Sequence, residues 1–304
     1  MTPMSYTDTK ATPAVARYAA ALRYELSVRN EAYAKTHGLK HQVSYGSQPV
    51  VCYEPDGRTH GNFLPETYRA IRANPLWARR LKKVHTSART ALPRNDRGFW
   101  GELDSSNSSD ALLMNVFCCP GVFDDGRVLS LLGLEAGAVP EFGFKACVPL
   151  LGDKFDRTEV DMRLGSLLVE AKLTESDYQT REKAMVESYR DFAEVFDRKA
   201  LPKTQDGYLS YQLIRNVLAA QANDCAFCVL CDARRPDLLQ AWYEIMRSVR
   251  PVDLRLRCKV LTWQELAGVL PKRLRMFLEE KYGIVDGISR PDGTGVFSSE
   301  LSQR

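Results

Sequence analysis

The stretch that most restricts this chain is a pair of short apolar runs joined by a two-residue turn: 158–164 (TEVDMRL), Gly165-Ser166, then 167–173 (LLVEAKL). Glycine followed by a small polar residue between two such runs predicts a tight β-hairpin. Side chains alternate along a strand, so Glu170 and Lys172, two residues apart, share a face. Asp161 lies four residues before Gly165 and Glu170 four residues after Ser166, so the hairpin brings these two carboxylates side by side across the pair. The neighbouring Leu167, Leu168 and Val169 imply a largely buried second strand.

Two acids and an amine at the end of a buried strand are costly unless something compensates them. A divalent cation does so. Mg2+ prefers hard carboxylate oxygens and keeps several waters, which suits a pair of acids with one side open to a phosphate. A metal-bound water is easier to deprotonate, and the ion also offsets charge developing on a phosphate. Lys172 would position or help deprotonate that water, or contact the phosphate.

Elsewhere the pattern alternates between helix and strand. Residues 12–37 predict an amphipathic helix with Val15, Tyr18, Leu22 and Leu26 at helical spacing. A short strand and Gly-containing turn follow in 48–61, then two helices in 64–88, the second opening at Pro75. Beyond a loop at 91–102, Ser and Asn capping candidates lead into the helix 105–117 (SSNSSDALLMNVF). Runs 143–151, 158–164 and 166–173 predict three strands. After them come helices in 176–196 and 208–222, a strand at 225–233, a helix at 235–249, a strand at 254–263 and a last helix closed by Gly283. This order predicts an α/β mixed central sheet flanked by helices. The expected organisation is a mostly helical N-terminal region with a basic stretch over 1–100, a core over 101–285 and a disordered tail over 286–304.

No run approaches the length of an apolar membrane helix, and the N-terminus has no apolar signal core. With eight cysteines, this predicts a cytoplasmic protein with reduced thiols. The net charge is only +4, but 67–97 carries nine Lys or Arg against one acid, and 234–281 eleven against six. Such clusters suit nucleic acid. The plain alternative is a solvated helix face.

Asp161, Glu170 and Lys172 on a hairpin, preceded by the helix SSDALLMN and followed by the helix YQLIRN and a strand, resemble the PD-(D/E)XK nuclease superfamily. Within it the chain most resembles a branch of uncharacterised bacterial restriction-endonuclease-like proteins. The position before Asp161 is Val160, where the family motif often has proline. The resemblance implies a restriction-endonuclease-like fold and a Mg2+-dependent endonuclease, with Mn2+ able to substitute, acting on phosphodiester bonds of double-stranded DNA, with a homodimer as an option. It implies catalytic roles for Asp161, Glu170 and Lys172, with Asp161 and Glu170 holding the metal. It points to Glu102 and Gln212 as supporting groups, although a solvated acid and a polar helix face explain them equally simply. Gln212, Arg215 and Asn216 share one helix face. Arg79, Arg80, Lys82 and Lys83, with Arg215, are the candidates to hold nucleic acid.

Other features have simpler explanations. Cys225, Cys228 and Cys231 fall in an apolar strand, where the spacing sends Cys228 to the face opposite the other two. Buried thiols then explain them better than a zinc or iron–sulfur site. His37, His41, His60 and His85 precede the core without a nucleophile motif, and neither a Gly-x-Ser-x-Gly elbow nor a phosphate loop occurs. Trp77 and Trp100, beside the basic stretch, are packing residues or base-stacking platforms. Two readings compete with the nuclease: a catalytically silent nucleic-acid-binding or assembly subunit of the same fold, and an α/β protein whose cysteines bind metal.

Overall fold

The computed structural model describes residues 13–44, 49–84 and 100–287. The side chain of Val15, His85, the loop at 91–99 and the tail from 288 onward lie outside them.

Five strands make the central sheet: β1 (Pro140–Lys145), β2 (Glu159–Leu164), β3 (Leu167–Ala171), β4 (Ala226–Cys231) and β5 (Cys258–Thr262), in the order β5-β4-β3-β2-β1. Strands β1, β2 and β3 form an antiparallel meander, whereas β3, β4 and β5 run parallel. The parallel strands need crossovers of helical length. Helix α5 (Tyr211–Ala222) lies in the first crossover and α6 (Pro236–Met246) in the second. The sheet is thus mixed and flanked by helices, as the sequence predicts, and it fits the restriction-endonuclease-like fold.

Strand β3 shows why sequence and layer agree. Every one of its residues is buried, the mark of a strand covered on both faces. Leu167, Val169 and Ala171 enter one core, together with α1 (Pro13–Thr36), α3 (Ser109–Phe117), α4 (Arg127–Leu132) and α7 (Lys272–Tyr282). Leu168 enters the other, with α5, α6 and the segment 178–208. The same alternation sends Cys228 to the first core and Cys225 and Cys231 to the second. Leu22 and Leu26 of α1 pack beside Leu274, Phe277 and Leu278 of α7, so the first helix covers the sheet's own core. Tyr18 is exposed.

Three predicted elements need correction. Residues 143–151 are not one strand: the chain turns at Cys147, which has φ 51°, and Val148–Leu150 pairs with Lys154–Asp156 in a separate hairpin. Residues 176–196 are not one long helix. They contain two single turns, Lys183–Val186 and Phe192–Val195, with a short strand Arg181–Glu182 paired to Gly207–Tyr208. Here the backbone bonds elsewhere, because Leu151 N donates to Ser188 O and Arg190 N donates to Pro149 O. In 254–263 the strand begins only at Cys258, because Val252–Arg257 forms a helix behind Pro251.

Among the described residues, no helix is long and apolar enough to cross a membrane.

Candidate metal and nucleic-acid site

The hairpin turns where the sequence places it. Leu164 pairs with Leu167 across Gly165, whose φ of 59° is readily accessible to glycine. The ladder continues through Arg163 and Leu168 to Met162 and Val169. One step further the backbone partnership ends. The Asp161 carboxylate replaces it, with Oδ2 accepting the Ala171 N–H at 2.8 Å. Strand β2 also twists at this point. Val160 packs in the second core although Met162, two residues on, packs in the first. Opposite, Gly143 of β1 has φ 68°, and a Cβ there would sit 2.5 Å from Arg80 Nη1.

Glu170 is buried and both of its oxygens are engaged. Oε1 meets Lys172 Nζ at 2.8 Å, and Oε2 accepts from Asn216 Nδ2 of α5 at 2.7 Å. The Lys172 N–H donates to Leu230 O of β4 at 2.8 Å, which fixes the strand's exit. Asp161 is therefore bonded to the residue lying between Glu170 and Lys172, and the three predicted residues meet at one strand end.

Their charges act on one another at close range. Burial pushes the Asp161 carboxyl well above the usual carboxylate range, and nearby Glu170 and Asp110 push it further, against Lys172 and the Ala171 N–H. Burial alone would lower the Lys172 ammonium, but Glu170, Glu175 and Asp161 outweigh it and hold it above its ordinary value. This lysine is a fixed cation among carboxylates.

Sequence reasoning missed Asp110, Glu175 and Arg235. Asp110, in the first turn of α3, reads from sequence as a helix-start residue behind the Ser108 cap. It is buried, held by Arg80 Nη2 at 2.5 Å, and Lys83 Nζ approaches to 3.6 Å. Glu102 instead pairs with Lys83 at 2.7 Å, so Lys83 bridges the two acids. Glu175 accepts from Ser109 Oγ at 2.5 Å and from Leu173 N at 2.6 Å. Arg235, fully buried, donates to the carbonyls of Leu173, Glu175 and Ser176 and forks onto Asp237. It clamps the segment leaving Lys172, and no local pattern links it to that strand 63 residues earlier.

The remaining candidates fall around this centre. Gln212 stands one turn before Asn216, with its N–H on Tyr178 O at 3.0 Å and its buried Oε1 without a partner among the described residues. Arg215 is buried and donates to Glu159 O at 2.9 Å and Asn216 Oδ1 at 2.8 Å. Arg80 also reaches Glu159 at 3.1 Å. Arg79 and Lys82 are exposed in the turn Arg79–Lys82.

The donor set suits a hard dication. Asp161 is a carboxyl whose ionisation is opposed first by burial and then by Glu170 and Asp110, and a cation would offset both. Among the described residues no group of three or more His, Cys, Asp or Glu forms a ready-made metal cage. Asp161 and Glu170 are the two carboxylates at this strand end that could hold such a cation, both being hard oxygen donors.

A family model described as "Restriction Endonuclease associating with ARP" matches residues 27–283. The chain belongs to this family. The match starts within α1 and runs just past α7, so the hairpin, its flanking helices and the basic turn all lie inside the restriction endonuclease family's span. No curated protein and no solved structure matches the chain.

Proposed function

We propose that the chain is a metal-dependent nuclease of the PD-(D/E)XK type that hydrolyses phosphodiester bonds in double-stranded DNA, using Mg2+, with Mn2+ as a substitute. The family's description supports a nuclease-like role, and its second half extends the proposal to association with ARP. One observation carries the residue assignment. A buried Glu170–Lys172 ion pair of 2.8 Å ends a strand, with the Asp161 carboxylate tied to the residue between them. Burying such a cluster costs several kcal/mol per ion before compensation, on the order estimated for desolvated ions. Stability alone gives little reason to keep it.

Bound between Asp161 and Glu170, Mg2+ would supply a more acidic water and offset charge on the phosphate. The chain's own groups do the rest. Asn216 orients Glu170 through Oε2, and the Ala171 N–H orients Asp161. Lys172 contacts the phosphate or the attacking water as a cation. Arg80 and Lys83 position Asp110 beside Asp161, while Arg79 and Lys82 contact the DNA backbone without reading sequence. A homodimer would place two such sites on opposite strands.

The test is supercoiled plasmid incubated with wild type and with Lys172→Ala, in Mg2+ and in EDTA. Nicking or linearisation by wild type in Mg2+ alone is expected. DNA retention without cutting under any metal would move the chain to the silent binding or assembly role.

A further inference from the structure

Between the basic turn and the outer strand β1 lies a cleft of about 660 Å³, a volume suited to a small ligand. One wall is aromatic and fixed. Trp77 donates its indole N–H to Pro140 O at 2.9 Å and meets Phe142 edge to face, with ring centroids 6.4 Å apart. The rim and floor are charged, with Arg79, Arg80 and Lys83 against Glu141 and Glu159. Asn74 spends its Oδ1 on capping the Leu76 and Trp77 N–H groups. Gly143 opens the seat of Arg80, since a side chain there would collide with the guanidinium. The cleft adjoins the candidate metal site along β2 and through Arg80. Its lining residue Glu159 stands two positions before Asp161 on β2, and Arg80 joins the wall to Asp110.

We infer that this cleft is a nucleotide subsite, taking one aromatic base against Trp77 with its phosphate toward Arg79 and Lys83. An aromatic surface accepts any base, because every base has a π-face, and an adjacent cation holds the backbone. Glu141, exposed on the edge strand, offers a carboxylate to a base amino group. The inference deepens the nuclease reading by placing a nucleotide beside the proposed cutting centre. Two sources share this chemistry: a base in a nucleic-acid strand, unpaired or extruded, and a free nucleotide.

The test is equilibrium binding in EDTA, where cutting is silent, so its outcome does not depend on whether the chain cleaves DNA. The probes are a short single-stranded deoxyoligonucleotide carrying 2-aminopurine, and dAMP as competitor. Wild type should bind the oligonucleotide and quench 2-aminopurine. Trp77→Ala should bind it roughly 5- to 150-fold more weakly, the range for losing one base–aromatic stack. Because Trp77 also packs, Arg79→Ala serves as an exposed second variant. It should lower the slope of log affinity against log salt by about one. Displacement by dAMP assigns the cleft to free nucleotides, and oligonucleotide binding that dAMP does not displace assigns it to strands. Failure of both probes to bind, or equal binding and quenching by wild type and both variants, overturns the inference.

Discussion

Asp161→Asn should stabilise the metal-free protein while abolishing its response to Mg2+. An asparagine oxygen can still accept the Ala171 N–H, so the hydrogen bond at 2.8 Å survives. What disappears is a carboxylate opposed by burial, by Glu170 and by Asp110. The sign follows from proton uptake. The unfolded carboxyl titrates near its reference value of about 3.9, and the folded one at higher pH. Stability from this group is therefore complete below the unfolded pKa and is lost as pH rises through the folded one, so at pH 7, above the unfolded pKa, the acid is a net cost. Every pH unit that separates the folded from the unfolded titration is worth about 1.4 kcal/mol. Asp161 retains some solvent contact, which screens part of this cost. The variant should therefore melt above wild type, by at most about 2–4 °C for each kcal/mol gained. Mg2+ at ten times its Kd should stabilise wild type by about 1.4 kcal/mol and the variant far less. Thermal denaturation at pH 7 in EDTA and across a Mg2+ series reads all of this. A variant that melts below wild type in EDTA, with both proteins gaining equally from Mg2+, would refute the reasoning.

Asn216→Ala strips Glu170 Oε2 and Arg215 Nη2 of a shared partner. Denaturation should show a loss of about 1–3 kcal/mol, the cost of unsatisfied buried groups. The proposed nuclease activity should fall through kcat more than KM, and an unchanged kcat would remove Asn216 from the site. Lys281 is enclosed by the rings of Tyr53, Tyr33 and Tyr282, with Asn30 Oδ1 at 2.5 Å. Burial pulls its ammonium well below the ordinary value, opposed by Glu280. The unfolded lysine keeps its proton to about pH 10.4, so its cost vanishes above that and grows as pH falls to the folded pKa. Relative to Lys281→Met, wild type should gain up to about 1.4 kcal/mol for each pH step of one through that window. A pH-independent gap between urea curves taken from pH 7 to 10 would contradict this.

The sequence is most informative where periodicity and a turn act together. Gly165-Ser166 sets the register, and alternation then places Glu170 beside Lys172 and puts Cys228 opposite Cys225 and Cys231. It is least informative where tertiary partners take over backbone bonds. The stretch 176–196 has helical spacing, but Ser188 and Arg190 pair with the Val148–Asp156 hairpin region, and Tyr189 OH reaches Asp156 and Tyr211. The site shows the same division. Asp161, Glu170 and Lys172 are close in sequence and legible from it. Asp110 looks like an ordinary helix-start residue, and its place beside Asp161 depends on α3 docking under Arg80. Arg235 stands four residues past the end of β4, at the start of α6, and only the fold brings its guanidinium to the carbonyls after Lys172.

Anomalous diffraction from Mn2+-soaked crystals tests the central claim most directly, because it locates the ion without assuming that the chain cuts anything. The account predicts a peak shared by the Asp161 and Glu170 carboxylates, absent in Asp161→Asn crystals soaked identically. A Mn2+ peak elsewhere with nothing at these two acids, or an undiminished peak in the variant, would contradict it.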